Sequence, residues 1–110
     1  LTMRAAVADD EFAALCWTIR SEPSSCINSA ETFSVGRLFT AHQAANLVRM
    51  VQELSPFDAM ELAILLYSKL LNPESFQLVI NAFEDPSDRD NLCHRLGITP
   101  DGKALSTSVA

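Results

Sequence analysis

Residues 12–19 read Phe-Ala-Ala-Leu-Cys-Trp-Thr-Ile, and their apolar side chains recur three and four residues apart, as on one face of an α-helix. The same apolar spacing returns 32 residues later and again 64 residues later. A period of this size is typical of stacked helix pairs. The twelve positions are all apolar: Phe12, Leu15, Cys16 and Ile19, then Ala44, Leu47, Val48 and Val51, then Phe76, Val79, Ile80 and Phe83.

A residue followed by proline stands shortly after each of these apolar faces. Proline disfavours helix in the residue before it and suits the first turn of a helix, so each pair predicts a turn and then a second helix. The pairs are Glu22-Pro23, Ser55-Pro56 and Asp85-Pro86. In the last two pairs, Asp58 and Asp88 follow near the positive end of the helix dipole.

Helix-start signals also precede the first helix of each pair. Thr40 and Gln43 have the spacing of a capping box, in which each side chain bonds the backbone N–H of the other residue. Asn72, which stands before a proline, is an N-cap candidate, and Asp9 or Asp10 can cap the first helix.

These signals predict an all-α fold, a compact bundle of about six helices built from three helix-pair repeats. The predicted helices lie near 10–20, 24–35, 41–54, 56–71, 73–84 and 86–96, with Gly36 and Gly97 as C-caps. Residues 57–71 are apolar nearly all round, which predicts a central, buried helix. The expected core comprises Leu47, Val48, Val51, Leu62, Leu66, Val79, Ile80 and Phe83.

We expect one helical domain over residues 1–98 and a frayed tail or linker over residues 99–110, which begins with the turn Pro100-Asp101-Gly102. The chain opens without Met and ends in a polar run, so we expect a fragment of a longer polypeptide. Cys16, Cys26 and Cys93 are too few and too scattered for a disulfide framework, which favours a reducing, cytoplasmic location.

The charge balance limits the partners. The chain has 8 Lys and Arg residues against 14 Asp and Glu residues, a formal net charge of −6. Nucleic acids and anionic membrane surfaces need clustered basic residues, so both are disfavoured. No apolar run approaches the roughly 20 residues of a membrane span. The acidity either steers a basic protein partner or is a solvated surface.

The sequence offers no recognisable catalytic, cofactor-binding or metal site. Cys93 and His94 are adjacent, but neighbouring side chains on a helix point about 100° apart. The scattered cysteines and the histidines His42 and His94 lack the spacing of zinc ligands. Glu61 lies on the apolar helix and is either a buried functional acid or part of a narrow polar stripe. We therefore expect no enzyme activity, no cofactor and no metal.

Trp17 is the candidate contact residue for a protein partner. Taking 100° per residue, it points about 140° from Phe12 and away from the apolar face of its helix. The positions 32 and 64 residues later are Arg49 and Asn81, both polar. Either residues 1–8, Met3 and Val7 especially, pack back and cover the indole, or Trp17 is an exposed aromatic anchor of the kind common at interfaces.

Four helix starts carry a resemblance to a known family. They are Asp-Asp-Glu-Phe at 9–12, Phe-Thr-Ala-His-Gln at 39–43, Ser-Pro-Phe-Asp at 55–58 and Leu-Asn-Pro-Glu-Ser-Phe at 71–76. Over residues 9–96 the chain resembles domain-of-unknown-function family 4476, although Asn72 stands where that family prefers Asp. The resemblance implies a small helical domain, often attached to larger proteins, with no assigned catalytic residues.

The sequence thus predicts a protein–protein interaction or scaffold module of a larger intracellular protein, for instance a cytoskeletal one. The alternatives are a homo-oligomerisation domain, in which the same surface forms a symmetric dimer, and an enzyme with an unrecognised site.

Overall fold

The computed structural model describes residues 5–103, and within this range it confirms an all-α fold. The α-helices are α1 (Asp9–Ser21), α2 (Cys26–Phe33), α3 (Ala41–Leu54), α4 (Ala59–Tyr67), α5 (Gln77–Ile80) and α6 (Pro86–Leu96). Short 3₁₀ turns cover Pro23–Ser25, Pro56–Asp58 and Pro73–Ser75, and two short strands are β1 (Ala5–Ala6) and β2 (Arg37–Leu38).

Three of the predicted helices are shorter than expected. The prolines Pro23 and Pro56 each open a 3₁₀ turn, so α2 and α4 begin three residues after them. The predicted helix 56–71 ends at Tyr67, because the chain then runs alongside Phe39. The backbone N–H of Phe39 donates to the Lys69 carbonyl at 2.7 Å. The predicted helix 73–84 is reduced to a 3₁₀ turn and the four residues of α5.

A small parallel pairing, absent from the prediction, joins the segments that lead into the helices. Ala5 pairs with Arg37 and Ala6 with Leu38, and an isolated parallel bridge joins Phe39 to Leu70. The three segments therefore lie side by side just before α1, just before α3 and just before the 3₁₀ turn that leads into α5. Strands of two residues are too short to show an alternating pattern in sequence.

The capping box before α3 is confirmed. The Gln43 N–H donates to the Thr40 hydroxyl at 3.0 Å, and the Thr40 N–H donates to the Gln43 side chain at 2.9 Å. The predicted N-cap of the first helix is wrong. Helix α1 begins at Asp9, so Asp9 and Asp10 lie inside its first turn. Asn72 stands at the predicted N-cap position before Pro73, but its side chain accepts a hydrogen bond from the Ala41 N–H at 3.0 Å and none from its own turn.

The predicted core is confirmed, since all eight predicted residues are buried. Of the twelve repeated positions, ten are buried, and Phe12 and Cys16 are half-buried. The two ends of the predicted central helix are not buried as expected, because Phe57 is 98% exposed and Leu71 is 50% exposed. The structural equivalence of the three helix pairs stays a prediction, because the third pair has a first helix of only four residues.

The glycines mark the ends of two helices differently. Gly97 is the left-handed C-cap of α6, as predicted, whereas the C-cap of α2 is Ser34 and not the predicted Gly36, which follows two residues later with a φ of 72°. Residues 99–103 form the predicted turn, in which the Thr99 N–H donates to the Lys103 carbonyl at 2.7 Å. Gly102 is buried in this turn. The remainder of the predicted tail, 104–110, lies outside the described residues, as do residues 1–4.

Candidate interaction surface

Trp17 lies on the outer face of α1 with 71% of its side chain exposed. Leu15 and Ile19, on the opposite face of the same helix, are buried. Of the two residues expected to cover the indole, Val7 is buried in the core and Met3 lies outside the described residues. The indole of Trp17 is therefore accessible to solvent, as the second interpretation requires, and its contact role stays a prediction.

A shallow groove runs between α1 and α2, next to the face that carries Trp17. Its volume is about 430 Å³. Four of the seven lining residues are polar, and the groove is open rather than enclosed. The lining residues are Ala14, Leu15, Thr18, Asn28, Ser29, Thr32 and Phe33.

Phe57 is even more exposed than Trp17, and the sequence analysis did not predict its exposure. The apolar run 57–71 assigned it to a buried helix, but Pro56 opens a 3₁₀ turn that carries Phe57 outside the core. The sequence does hold a signal. The residue after the proline is Ser24 in the first helix pair and Ser87 in the third, both polar and exposed. The residue after the proline is therefore exposed in all three predicted helix pairs, and it is aromatic in the second pair only.

The turn that carries Phe57 is held by hydrogen bonds on both sides of it. The Ser55 hydroxyl donates to Oδ2 of Asp58 at 2.6 Å, and the Cys26 thiol donates to the same oxygen at 3.5 Å. The Asp58 N–H donates to the Ser55 carbonyl at 2.9 Å. Phe57 is therefore presented by a fixed turn that is also joined to the start of α2.

The three thiols are free and are poor nucleophiles. Burial raises the pKa of Cys26, and the Asp58 carboxylate raises it further. Burial also raises the pKa of Cys16, against a smaller lowering by Arg20, and the pKa of Cys93, with a further contribution from Asp90. The raised pKa values keep all three thiols neutral at pH 7. Because the thiolate is the reactive form, these thiols are weakly reactive.

The remaining candidates from the sequence are separate from one another. Cys93 is buried and its thiol faces the Thr99 carbonyl at 3.6 Å, whereas the neighbouring His94 is exposed. Glu61 is exposed, which agrees with a polar stripe rather than a buried acid. Within residues 5–103, no three His, Cys, Asp or Glu residues are grouped so that they could hold a metal ion.

A second, polar groove of about 530 Å³ lies between α3 and the chain after α5. The Gln52 side chain crosses it and donates to the Ala82 carbonyl at 2.8 Å. Its walls carry charges of both signs, with one guanidinium and two carboxylates. The lining residues are Arg49, Gln52, Glu53, Asn81, Ala82 and Glu84.

None of the helices in the described part of the chain combines the length and apolar character needed to cross a bilayer. Comparison of the chain with protein-family models gives no match, and comparisons with curated proteins and with solved structures give none either.

Proposed function

We propose that this chain is a protein–protein interaction or scaffold module of a larger intracellular protein. One observation carries the proposal. The chain has eight aromatic residues, and Trp17 and Phe57 are the two whose side chains are exposed, at 71% and 98%. Exposed large aromatic side chains are the typical anchors of protein interfaces, because a partner that covers them removes their apolar surface from water.

The proposal includes a cytoplasmic location and no catalytic step, cofactor or metal. Three free thiols with raised pKa values suit a reducing compartment and do not suit nucleophilic catalysis. The resemblance to domain-of-unknown-function family 4476 and the proposed helix-pair repeat agree with a module attached to other domains. A role in a cytoskeletal scaffold belongs to the same proposal.

The test is capture of partner proteins from cell extract by the immobilised domain. We expect Trp17→Ala or Phe57→Ala to lose proteins that the unchanged domain retains, while the melting temperature stays the same because both side chains are exposed. Val35→Ala is the matched control, because Val35 is an exposed apolar residue of comparable accessibility, 72%. Equal capture by all four proteins would contradict the proposal.

Self-association is the second candidate, and the same exposed aromatic residues favour it. In a symmetric dimer, each copy would present the same patch to the other. Sedimentation over a wide range of concentration distinguishes the two functions. A dimer that Trp17→Ala or Phe57→Ala dissociates supports self-association, whereas a monomer throughout leaves a different protein as the partner.

A further inference from the structure

The turn between α3 and α4, residues 54–58, forms an exposed apolar projection, which we call the Phe57 turn. Phe57 is 98% exposed, Leu54 is 39% exposed and Pro56 is also exposed. Met60, which follows at helical spacing, is half-buried and continues the apolar surface toward the core. Three apolar side chains thus reach solvent within four consecutive residues.

The geometry of the Phe57 turn is fixed before any partner binds. Asp58 accepts hydrogen bonds from Ser55 on one side and from Cys26 of α2 on the other. Pro56 restricts the backbone at the first position of the 3₁₀ turn. A side chain presented by a rigid turn loses less conformational entropy on binding, so an exposed Phe here suits the role of an anchor.

The segments that form the Phe57 turn and the start of α2 contain carboxylates and no basic residue, and the nearest cation to Phe57 along the chain is Arg49, one turn before Glu53 on α3. Residues 21–36 and 50–68, which contain α2, α4 and the turns before them, include no Lys, Arg or His. Glu53 lies four residues before Phe57 and Glu61 four residues after it, and both are exposed. The Cys26–Asp58 contact places the start of α2 beside the turn. The carboxylates of these two segments are Glu22, Glu31, Glu53, Asp58 and Glu61.

The exposed apolar side chain of Phe57 and the carboxylates around it determine which kind of partner this surface can bind. In a symmetric dimer centred on Phe57, the carboxylates around the turn of one copy would face those of the other, and facing like charges oppose association. An apolar anchor with an acidic rim is instead complementary to a segment that has apolar residues on one side and Lys or Arg around them.

We propose that the Phe57 turn is the docking site for a basic, amphipathic segment of a partner protein, with Phe57 as the apolar anchor and Glu53 and Glu61 as the acidic rim. This inference rests on the proposed interaction function and gives the partner a stated chemistry.

The probe is a fluorescein-labelled peptide of about 18 residues, five turns of helix, in which Leu recurs every three or four residues and Lys fills the other positions, so that Leu occupies one face. Its matched control replaces every Lys with Glu. Fluorescence anisotropy then measures the Kd for the folded domain. We expect the Lys peptide to bind, the Glu peptide not to bind, and added salt to weaken the complex.

Four variants locate the site. Phe57→Ala should raise the Kd about tenfold or more, as loss of an interface anchor does. The double change Glu53→Gln with Glu61→Gln should raise it at low salt and have less effect at high salt. Leu71→Ala and Glu74→Gln are the controls, because Leu71 and Glu74 are exposed but lie outside the turn and its rim. Both should leave the Kd unchanged.

Several results would overturn the proposal. Failure of the Lys peptide to bind the unchanged domain, equal binding of the Glu peptide, or an unchanged Kd for Phe57→Ala each contradicts it. A dimer that Phe57→Ala dissociates would assign the turn to a second copy. If Phe57→Ala leaves the Kd of the peptide unchanged while Trp17→Ala still loses captured proteins, the proposed docking site is wrong and the proposed interaction function stands.

Discussion

The thiol of Cys26 lies 3.5 Å from Oδ2 of Asp58, a residue 32 positions further along the chain. The contact joins the first residue of α2 to the turn before α4, so it ties the first helix pair to the second. Ser55 donates to the same oxygen at 2.6 Å, so the Asp58 carboxylate accepts hydrogen bonds from residues of both helix pairs. Changing the protonation of this thiol should therefore alter the stability of the domain.

The first prediction is a loss of stability at alkaline pH. Burial and the Asp58 carboxylate raise the pKa of Cys26, so the folded state favours the neutral thiol. The resulting stabilisation is fully present below the ordinary thiol pKa of about 8.5 and is lost as the pH rises through the higher folded value. Cys26→Ser, which cannot ionise in this range, should flatten the fall of the melting temperature above about pH 8.5. The same slope in both proteins would contradict the prediction.

The second prediction concerns the core. Leu66 is fully buried on α4, so Leu66→Ala removes apolar contacts and leaves a cavity. We expect a loss of about 2–5 kcal/mol in the free energy of unfolding, measured with urea. Leu71→Ala is the matched control, because Leu71 is half exposed, and it should cost much less. Equal costs would mean that α4 does not pack as described.

The third prediction tests the turn at residues 99–103. Gly102 has a φ of 84°, and a Cβ added there would lie 3.1 Å from the backbone nitrogen of Gln77. Gly102→Ala should destabilise the domain by more than the roughly 1–2 kcal/mol that a left-handed backbone costs alone. Gly36→Ala supplies that reference, because its φ is 72° and its Cβ would meet nothing within 4 Å. Equal effects in urea denaturation would show that residues 99–103 do not pack against Phe76 and Gln77 at the start of α5.

The fourth prediction uses Trp17 as its own reporter, since it is the sole tryptophan of the chain. An indole that is 71% exposed should emit near the wavelength of free indole and be quenched readily by iodide. Trp17→Ala should leave the melting temperature unchanged, because little buried surface is lost. Blue-shifted emission, or a lowered melting temperature, would place Trp17 in the core.

The fold and the candidate surface differ in how far the sequence predicts them. Helical periodicity identified buried faces such as Leu47, Val48 and Val51, because burial of a helix face leaves a regular apolar pattern. Periodicity also placed Trp17 away from that pattern. Periodicity failed for Phe57, because the apolar run begins at this residue, two positions before α4, in a turn that the core does not cover. The parallel pairing was beyond its reach, since that pairing depends on backbone atoms of distant residues.

The parallel pairing has a consequence for the order of folding. Ala5 with Arg37, and Phe39 with Leu70, each close a loop of about thirty residues, whereas the helices form from contacts within four residues. The helices α1 and α3 should therefore form early, and joining of the three segments should be the slow step. In pulsed hydrogen exchange during refolding, the Phe39 and Leu71 amides, which donate at 2.7 Å across this pairing, should become protected after the amides of α3.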